Sequence, residues 1–405
     1  MVILGKWRQQ SVTLSFKPNA LTISLDGQEG PRVFSYDLCG RLWTAMLRQV
    51  SYRRGLNGKV VAKWIAPDGS RGRRWLEPEE ANRLLSEASE IATHLLQATQ
   101  TGEVLLSEKP SKHELTFLSR AAAYQADIAT ADAQQYHAVY KPVGILPPDQ
   151  YMAVVLQLTE GCAFNTCTFC TFYRDRPFRI KKPPEFREHI ASVKKFLADG
   201  LNLRRTIFLG DANALITPMP QLTALLDEVH NALDVEKLGG IYAFLDGFSG
   251  EKKSREDYAQ LAHLGLKRVY IGLESGDPEL LRLLKKPGHP TDAITAVREM
   301  KAAGVAVGLI VLLGAGGHQF ERSHVRETIR VLNEMPLDAD DLIYFSELIE
   351  SEGMPYVQSA FEERLQPLTS DERIHQGELI EQGLRFTEAG GTPHISRYDI
   401  REFVY

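Results

Sequence analysis

The sequence has few cysteines, no long apolar run and no segment typical of an export signal. Four cysteines in 405 residues are too few to staple a small secreted fold. The longest apolar run, residues 305–313, is far shorter than the roughly 20 residues of a membrane-spanning helix. The first residues also lack the basic head and apolar stretch of a secretory signal. We therefore expect a cytoplasmic protein with no membrane partner.

The charge of the chain is modest overall but unevenly distributed. The formal net charge is −5, yet residues 1–76 hold 13 Lys and Arg against 4 Asp and Glu, while the remaining 329 residues hold 34 against 48. A basic region of this kind can face nucleic acid, an anionic metabolite or acidic residues of its own chain. Its basic residues are scattered over several predicted hairpins rather than gathered on one helix, so we expect a small-molecule substrate rather than RNA.

Two kinds of periodicity divide the chain. Apolar and polar residues alternate in short runs over residues 10–65, which is typical of antiparallel strands, and residues 78–99 repeat apolar side chains at helical spacing. From residue 151 onward strands and helices alternate, which predicts a parallel sheet covered by helices. The predicted strands of that sheet are 152–158, 206–209, 241–245, 268–273, 305–313 and 341–345.

Polar groups follow the carboxyl end of each predicted strand. In a barrel these ends meet at one mouth, whereas an open sheet concentrates ligands at a switch point between strands. Contributions from all six strands favour the barrel, and six strands rather than eight leave it open on one side. We therefore predict an α/β fold, a partial (β/α)6 TIM-type barrel at residues 150–350. It follows an N-terminal mostly-β (α+β) accessory region at 1–149 and precedes a short C-terminal extension at 351–405.

Three of the four cysteines lie within nine residues. Cys162, Cys167 and Cys170 form a C-x4-C-x2-C pattern after the first strand of the predicted barrel. Zinc would want four ligands, and a redox pair of Cys167 and Cys170 would leave Cys162 unexplained. An iron–sulfur cluster uses all three thiolates, although the ferredoxin motif that opens with this spacing needs a fourth cysteine, and none follows Cys170. Three thiolates on a four-iron cluster would leave one iron open, and an open coordination site is typical of catalytic metal centres.

This loop and the motifs that follow it resemble the radical S-adenosylmethionine (radical SAM) superfamily, most closely the core of the Elongator catalytic subunit and the methylthiotransferases. Phe169 precedes the third cysteine, where the family places a side chain against the adenine of SAM. Asp211, in Leu-Gly-Asp, stands where the family has its Gly-Gly-Glu motif, which holds the methionine amino group. Glu274 and Ser275 stand in a segment that resembles the fourth-strand motif contacting the ribose and methionyl part. Ile310 matches the adenine contact of the fifth strand.

The chain departs from the family pattern in two places. The family usually has C-x3-C-x2-C, so one extra residue lengthens the loop between the first two cysteines. Asp211 is shorter than the usual Glu, and Asn213 could assist it. Further along, residues 352–356 resemble the Gly-Thr-Pro segment of the family.

The resemblance implies both cofactors and chemistry. A [4Fe–4S] cluster held by Cys162, Cys167 and Cys170 passes an electron to bound SAM, and the 5′-deoxyadenosyl radical abstracts hydrogen from a substrate. The cofactor performs the hard step, while the protein binds, orients and excludes water. The resemblance also implies an external electron donor of the flavodoxin or ferredoxin type. The alternative from another class is a non-catalytic iron–sulfur protein that relays electrons or binds nucleic acid.

Overall fold

The chain divides into two compact units. The computed structural model describes residues 1–28, 30–250, 252–351, 353–386 and 390–405. The first unit contains residues 1–142, 191–205 and 402–405, and the second contains residues 143–190 and 206–401. The domain boundaries suggested by the sequence, 149/150 and 350/351, stay a prediction. Glu352, in the segment that resembles Gly-Thr-Pro, lies outside the described residues.

The helices are concentrated after residue 77. None of those in the described residues is long and apolar enough to cross a membrane. They are α1 (Pro78–Thr101), α2 (Lys112–Ala123), α3 (Ala126–Val139), α4 (Pro183–Leu197), α5 (Met219–Ala232), α6 (Gly247–Gly250), α7 (Arg255–His263), α8 (Pro278–Leu283), α9 (Pro290–Ala302), α10 (Gly317–Asn333), α11 (Pro355–Glu362) and α12 (Ser370–Gly383).

An antiparallel sheet forms the first unit. Its strands are β1 (Val2–Trp7), β2 (Gln10–Lys17), β3 (Ala20–Asp26), β4 (Arg32–Tyr36), β5 (Leu42–Leu47), β6 (Val50–Arg54), β7 (Val60–Ile65), β8 (Arg71–Trp75) and β9 (Leu105–Leu106). Their order across the sheet is β8-β7-β6-β5-β4-β3-β2-β1-β9 over the residues described. The turns Arg8-Gln9 and Arg48-Gln49 have positive φ at both residues, as the tight type I′ hairpin requires. The predicted antiparallel strands are thus confirmed.

Helix α1 supplies the other half of the core of this unit. It begins with a capping box between Glu77 and Glu80 and ends at Gly102, whose φ of 79° lies in the left-handed region. Its buried side chains recur at helical spacing and pack with inward-facing strand residues such as Ile23 and Phe34. The helix predicted over residues 78–99 is confirmed.

Several basic residues of the first unit pair with acidic residues of the same unit. Arg41 lies with its Nε 2.8 Å from the Asp132 carboxylate, and both side chains are buried. Because the acids come from helices and from the last residues of the chain, the excess charge of residues 1–76 is partly balanced by downstream residues. The other pairs are Arg32 with Glu87, Arg74 with Glu80, and Lys63 and Arg73 with Glu402.

A parallel sheet forms the second unit. Its strands are β10 (Ala153–Gln157), β13 (Thr206–Gly210), β14 (Ile241–Leu245), β15 (Leu266–Glu274), β16 (Ala306–Leu313), β17 (Leu342–Glu347) and β18 (His394–Tyr398), in that spatial order. The short strands β11 (Thr159–Glu160) and β12 (Arg179–Ile180) pair separately. The predicted α/β class and mostly-β N-terminal region are confirmed. Within the described residues the sheet has seven strands rather than six, because β18 from the C-terminal segment pairs in parallel with β17.

The parallel sheet is strongly curved. Neighbouring strands lie about 4.8 Å apart, yet Tyr270 on β15 and Tyr344 on β17 both donate hydrogen bonds to the carboxylate of Asp149. Phe208 on β13 also lies with its ring 6.1 Å from that of Tyr270, two strands away. Strands that are not neighbours therefore meet over one concave face. The aromatic side chains and Asp149 fill that face toward the amino ends of the strands.

Candidate active site

The cysteines lie on a loop whose base is closed by strands β11 and β12. Thr159 pairs with Ile180 and Glu160 with Arg179. The carboxylate of Glu160 also accepts two hydrogen bonds of 2.8 Å from Arg179 and one of 2.6 Å from Lys181. Although burial opposes it, these cations lower the pKa of Glu160 to about 2. The loop is therefore closed at its base by charge-assisted hydrogen bonds.

Hydrogen bonds from inside the loop shape its tip. Asn165 adopts a left-handed φ of 49°, its backbone N–H points to the Cys162 sulfur at 3.4 Å, and its side chain donates to the Tyr173 carbonyl at 3.1 Å. The guanidinium of Arg174 donates to the carbonyl oxygens of Cys167 and Cys170, both at 2.9 Å. The loop thus holds its three thiols in place through its own backbone.

The segment between the first two cysteines makes an aromatic contact with α6. Phe164, between the first two cysteines, packs edge to face on Phe248 of α6 with ring centroids 4.3 Å apart. Gly288 lies directly beside Phe248, where a Cβ atom would overlap the Phe248 side chain. The Cys162–Cys167 segment is therefore packed against α6 by its phenyl ring.

The three thiols are half-buried, and burial favours the neutral form of Cys167 and Cys170. Burial raises the pKa of Cys167, opposed by the ammonium of Lys286, and it raises the pKa of Cys170 to about 11. In the part of the chain that the structure describes, no three Cys, His, Asp or Glu side chains lie close enough together to share one metal ion. Three thiols fit the chemistry of a cluster whose irons are ligated by thiolates, and ligation would release their protons.

The carboxylate of Asp211 is engaged by groups of the chain itself. It accepts hydrogen bonds from the Gln157 side chain at 2.7 Å, the Gly161 backbone N–H at 2.9 Å and Arg176 Nε at 3.1 Å. Burial raises the pKa of Asp211, and these partners oppose the shift. The structure places Asp211 at the carboxyl end of β13, where it ties the start of the cysteine loop to the sheet.

Asn213, two residues after Asp211, carries a side-chain oxygen that is free to accept a hydrogen bond from a ligand. Its side-chain amide donates to the Asp246 carboxylate and reaches Ser249 Oγ at 3.5 Å. Its own carbonyl, Oδ1, is buried and has no hydrogen-bond partner among the described residues. A buried acceptor without a donor is costly, so Asn213 Oδ1 is a natural contact for a ligand N–H.

Glu274 forms an ion pair with Lys286, a residue that the sequence reasoning missed. Lys286 Nζ lies 3.4 Å from Glu274 Oε1. Burial raises the pKa of Glu274, opposed by Lys286. Although burial opposes it, the carboxylate of Glu274 raises the pKa of Lys286, with further contributions from Cys167 and Asp246. A Cβ atom at Gly272 would overlap Glu274 Oε1, so this glycine makes room for the pair.

The Ser275 side chain is enclosed within the fold. It is fully buried, its hydroxyl shares a 2.7 Å hydrogen bond with His324 Nδ1, and it accepts one of 3.0 Å from the Asp277 backbone N–H. Asp277 caps α8 by accepting from the N–H of Glu279 at 2.9 Å. Ser275 is thus bonded within the fold at the start of α8, and its predicted contact with SAM stays a prediction.

The two predicted adenine contacts lie in different surroundings. Phe169 packs on an apolar cluster that includes Leu284, Leu312 and Tyr356. Ile310 is half-buried on β16, in register with Gly272 and Tyr344 on the neighbouring strands. The side chains brought together by observed contacts are therefore Glu274 with Lys286 near Cys167, and Asn213 with Asp246.

The seventh strand adds a side chain that the sequence reasoning did not assign to the site. Tyr398 pairs with Ser346 in register, and its ring centroid lies 5.6 Å from that of Tyr344. Burial raises the pKa of Tyr398 to about 12, a hydrogen bond to Ser346 opposes the shift, and the carboxylate of Glu274 adds to it. Ser396 and Arg397 are both polar, so the local sequence of His394–Tyr398 lacks the alternation that would have signalled this strand.

The second unit thus combines a parallel α/β sheet with a cysteine loop after its first strand and polar groups at the strand ends. Residues 156–332 match the radical SAM superfamily, so this part of the chain is a radical SAM domain. Members of the superfamily are enzymes, and the superfamily implies SAM and a [4Fe–4S] cluster. The predicted family and enzyme class are therefore confirmed.

Individual relatives are distant. The chain is similar to 4′-phospho-dehydrooxetanocin synthase from Priestia megaterium, with 26% identity over an alignment of 173 residues that covers 38% of this chain and 22% of that protein. The chain thus spans about a fifth of that curated relative. It is also similar to solved structures of coproporphyrinogen III oxidase from Escherichia coli (12% identity, 62% of this chain and 56% of that one, TM-score 0.42) and of methylornithine synthase (16%, 60% and 70%, 0.40).

Proposed function

We propose that this chain cleaves SAM reductively and uses the resulting 5′-deoxyadenosyl radical to abstract hydrogen from a small-molecule substrate. The observation that carries the proposal is the loop of Cys162, Cys167 and Cys170, which is shaped by its own hydrogen bonds beside the Glu274–Lys286 pair. A [4Fe–4S] cluster on these thiolates would supply one low-potential electron and an open iron. The free state of all four cysteines suits a reducing, cytoplasmic setting.

Several residues of the chain are placed to contact different parts of SAM. Asn213 Oδ1 would accept from the methionyl ammonium, and the neighbouring Asp246 would supply negative charge. Lys286 would supply the positive charge for the carboxylate, and Phe169 and Ile310 would pack on the adenine. Asp211 orders the loop by binding Arg176 and the Gly161 N–H.

Anaerobic reconstitution tests the proposal directly. The chain should hold about four irons with inorganic sulfide, and reduction in the presence of SAM should yield 5′-deoxyadenosine and methionine. Changing any of the three loop cysteines to Ala should abolish both. Cys39→Ala is the matched control, because Cys39 lies in the first unit, where its thiol donates to the Leu197 carbonyl at 3.4 Å.

Two results would contradict the proposal. Stoichiometric zinc without sulfide would refute the cluster assignment. A reducible cluster that yields no 5′-deoxyadenosine would instead favour the alternative, a non-catalytic iron–sulfur protein.

The preference for a small molecule over RNA rests on charge. Several basic side chains of the first unit already pair with carboxylates of the same unit. Each pair lowers the charge available to a phosphate backbone, on which nucleic-acid affinity depends.

A further inference from the structure

Helix α11 exposes an unusual apolar stripe. Phe361 is 80% exposed, the largest exposed fraction of any large apolar side chain in the described residues, and Val357, one turn earlier, is 41% exposed. Residues four apart lie on the same face of a helix, so the two side chains form one patch. An exposed aromatic side chain beside an aliphatic one is typical of a surface that another protein covers.

The patch is connected rigidly to the cysteine loop. The backbone N–H of Tyr356, at the start of α11, donates to the carbonyl of Thr168 at 3.0 Å, and the N–H of Thr168 donates to the Leu284 carbonyl at 2.9 Å. Thr168 lies between Cys167 and Cys170. With a rise of about 1.5 Å per residue, the Cα of Phe361 is only about 7.5 Å along the helix from that of Tyr356. A partner that covers Phe361 would therefore stand close to the three thiols.

Two unpaired cations flank the same loop. Arg174 and Lys285 are exposed, and no carboxylate of the described ranges forms an ion pair with either. Arg174 donates to the carbonyls of Cys167 and Cys170, and the Lys285 carbonyl accepts from Thr166 Oγ1 at 3.1 Å. The nearby acids are Glu362, the last residue of α11, and Glu363, the residue after it. They lie about 100° and 200° around the helix axis from Phe361. The loop rim thus places two cations beside the apolar stripe, while the exposed Asp175 is paired with Arg176.

We propose that Phe361, Val357 and the cations Arg174 and Lys285 form the docking surface for an acidic one-electron donor protein of the flavodoxin or ferredoxin type. This inference rests on the proposed function, because the docked protein would deliver its electron to a cluster on the loop. One electron leaves the donor, which is oxidised by one equivalent, and the oxidised cluster is reduced by one. The positive rim attracts the acidic partner and the apolar stripe anchors it, as in other small transient redox interfaces.

Stopped-flow reduction of the reconstituted enzyme tests the surface. The donor is a flavodoxin in its hydroquinone form, and dithionite, which needs no docking surface, is the parallel reductant. Phe361→Asp should slow reduction by flavodoxin at least tenfold and Val357→Asp severalfold, while reduction by dithionite stays unchanged. Ile374→Asp on α12 is the matched control, because Ile374 is exposed to the same extent as Val357, 41%. Iron content of each variant verifies folding.

Lys285→Glu tests the charged part of the docking surface independently of the apolar part. Reversal of a rim charge should lower the association rate and flatten its dependence on salt, with reduction by dithionite again unchanged. Flavodoxin rates that are equal in wild type, Phe361→Asp and Lys285→Glu would overturn the docking surface alone. A dimer that Phe361→Asp dissociates, with unchanged flavodoxin rates, would identify a second copy as the occupant and also overturn it. Failure of dithionite to reduce any cluster in the wild type would refute the proposed function together with this inference.

Discussion

Replacing Asp211 by Ala should loosen the cysteine loop before it affects anything else. Arg176 and Asp211 have side chains only 6% and 3% exposed, and their ion pair is 3.1 Å long. Burial raises the pKa of Asp211 despite Arg176, so the pair as a whole adds little net stability. Removing Asp211 is different, because Arg176 Nε, the Gly161 N–H and the Gln157 amide all lose a buried charged acceptor, which costs about 3 kcal/mol even though Asp175 still pairs with Arg176.

Amide hydrogen exchange measures this loss of stability at individual residues of the loop. The Gly161 N–H donates to Asp211 Oδ2 at 2.9 Å, so in Asp211→Ala the amides at the loop base should exchange about 100-fold faster, which corresponds to about 3 kcal/mol. Asp175→Ala is the matched control. Asp175 also pairs with Arg176, at 3.0 Å, but is 55% exposed, so its loss should change exchange by less than about fivefold.

The outcome separates two roles for Asp211. Unchanged exchange in Asp211→Ala, combined with a loss of SAM affinity, would refute the reasoning and return Asp211 to direct contact with SAM. Faster exchange at the loop base, matched by lower iron retention, would support its role in ordering the loop.

Three further predictions concern binding and pH. Asn213→Ala should weaken SAM binding by about 10- to 100-fold through loss of a charge-assisted hydrogen bond, measured by equilibrium binding to the reconstituted enzyme, whereas unchanged affinity would remove Asn213 from the site. Burial lowers the pKa of His324 to about 4, so the stability from its neutral form is present above pH 6.5 and is lost as the pH falls toward 4. Urea unfolding of the apo chain should therefore show wild type losing about 2–3 kcal/mol more than His324→Gln between pH 7 and 4.5, and parallel pH profiles would contradict this. Bulk tRNA should show little retention in gel shifts as salt increases, and tight binding that Arg48→Ala and Arg71→Ala abolish would overturn the preference for a small-molecule substrate.

Much of the fold could be predicted because its signals are local. The βα alternation of the second unit and the helix over residues 78–99 both follow from periodicity within a few residues of each position. The strand β18 was not predicted, since His394–Tyr398 is short and separated from β17 by two helices. Its pairing is a contact over a long sequence distance, which no local pattern records.

The candidate site also combines features that the sequence predicts with features that only the tertiary structure decides. The thiol loop, its family and its enzyme class could be predicted from the sequence by itself, because the spacing of Cys162, Cys167 and Cys170 is a property of nine consecutive residues. Only the tertiary structure decided which polar groups remain open. In the folded chain Asp211 binds Arg176 and Glu274 pairs with Lys286, whereas Asn213 Oδ1 has no donor among the described residues. The physical reason is that a buried polar group takes whichever partner the fold brings within about 3 Å, and that partner is set by packing between distant segments rather than by neighbours in the chain.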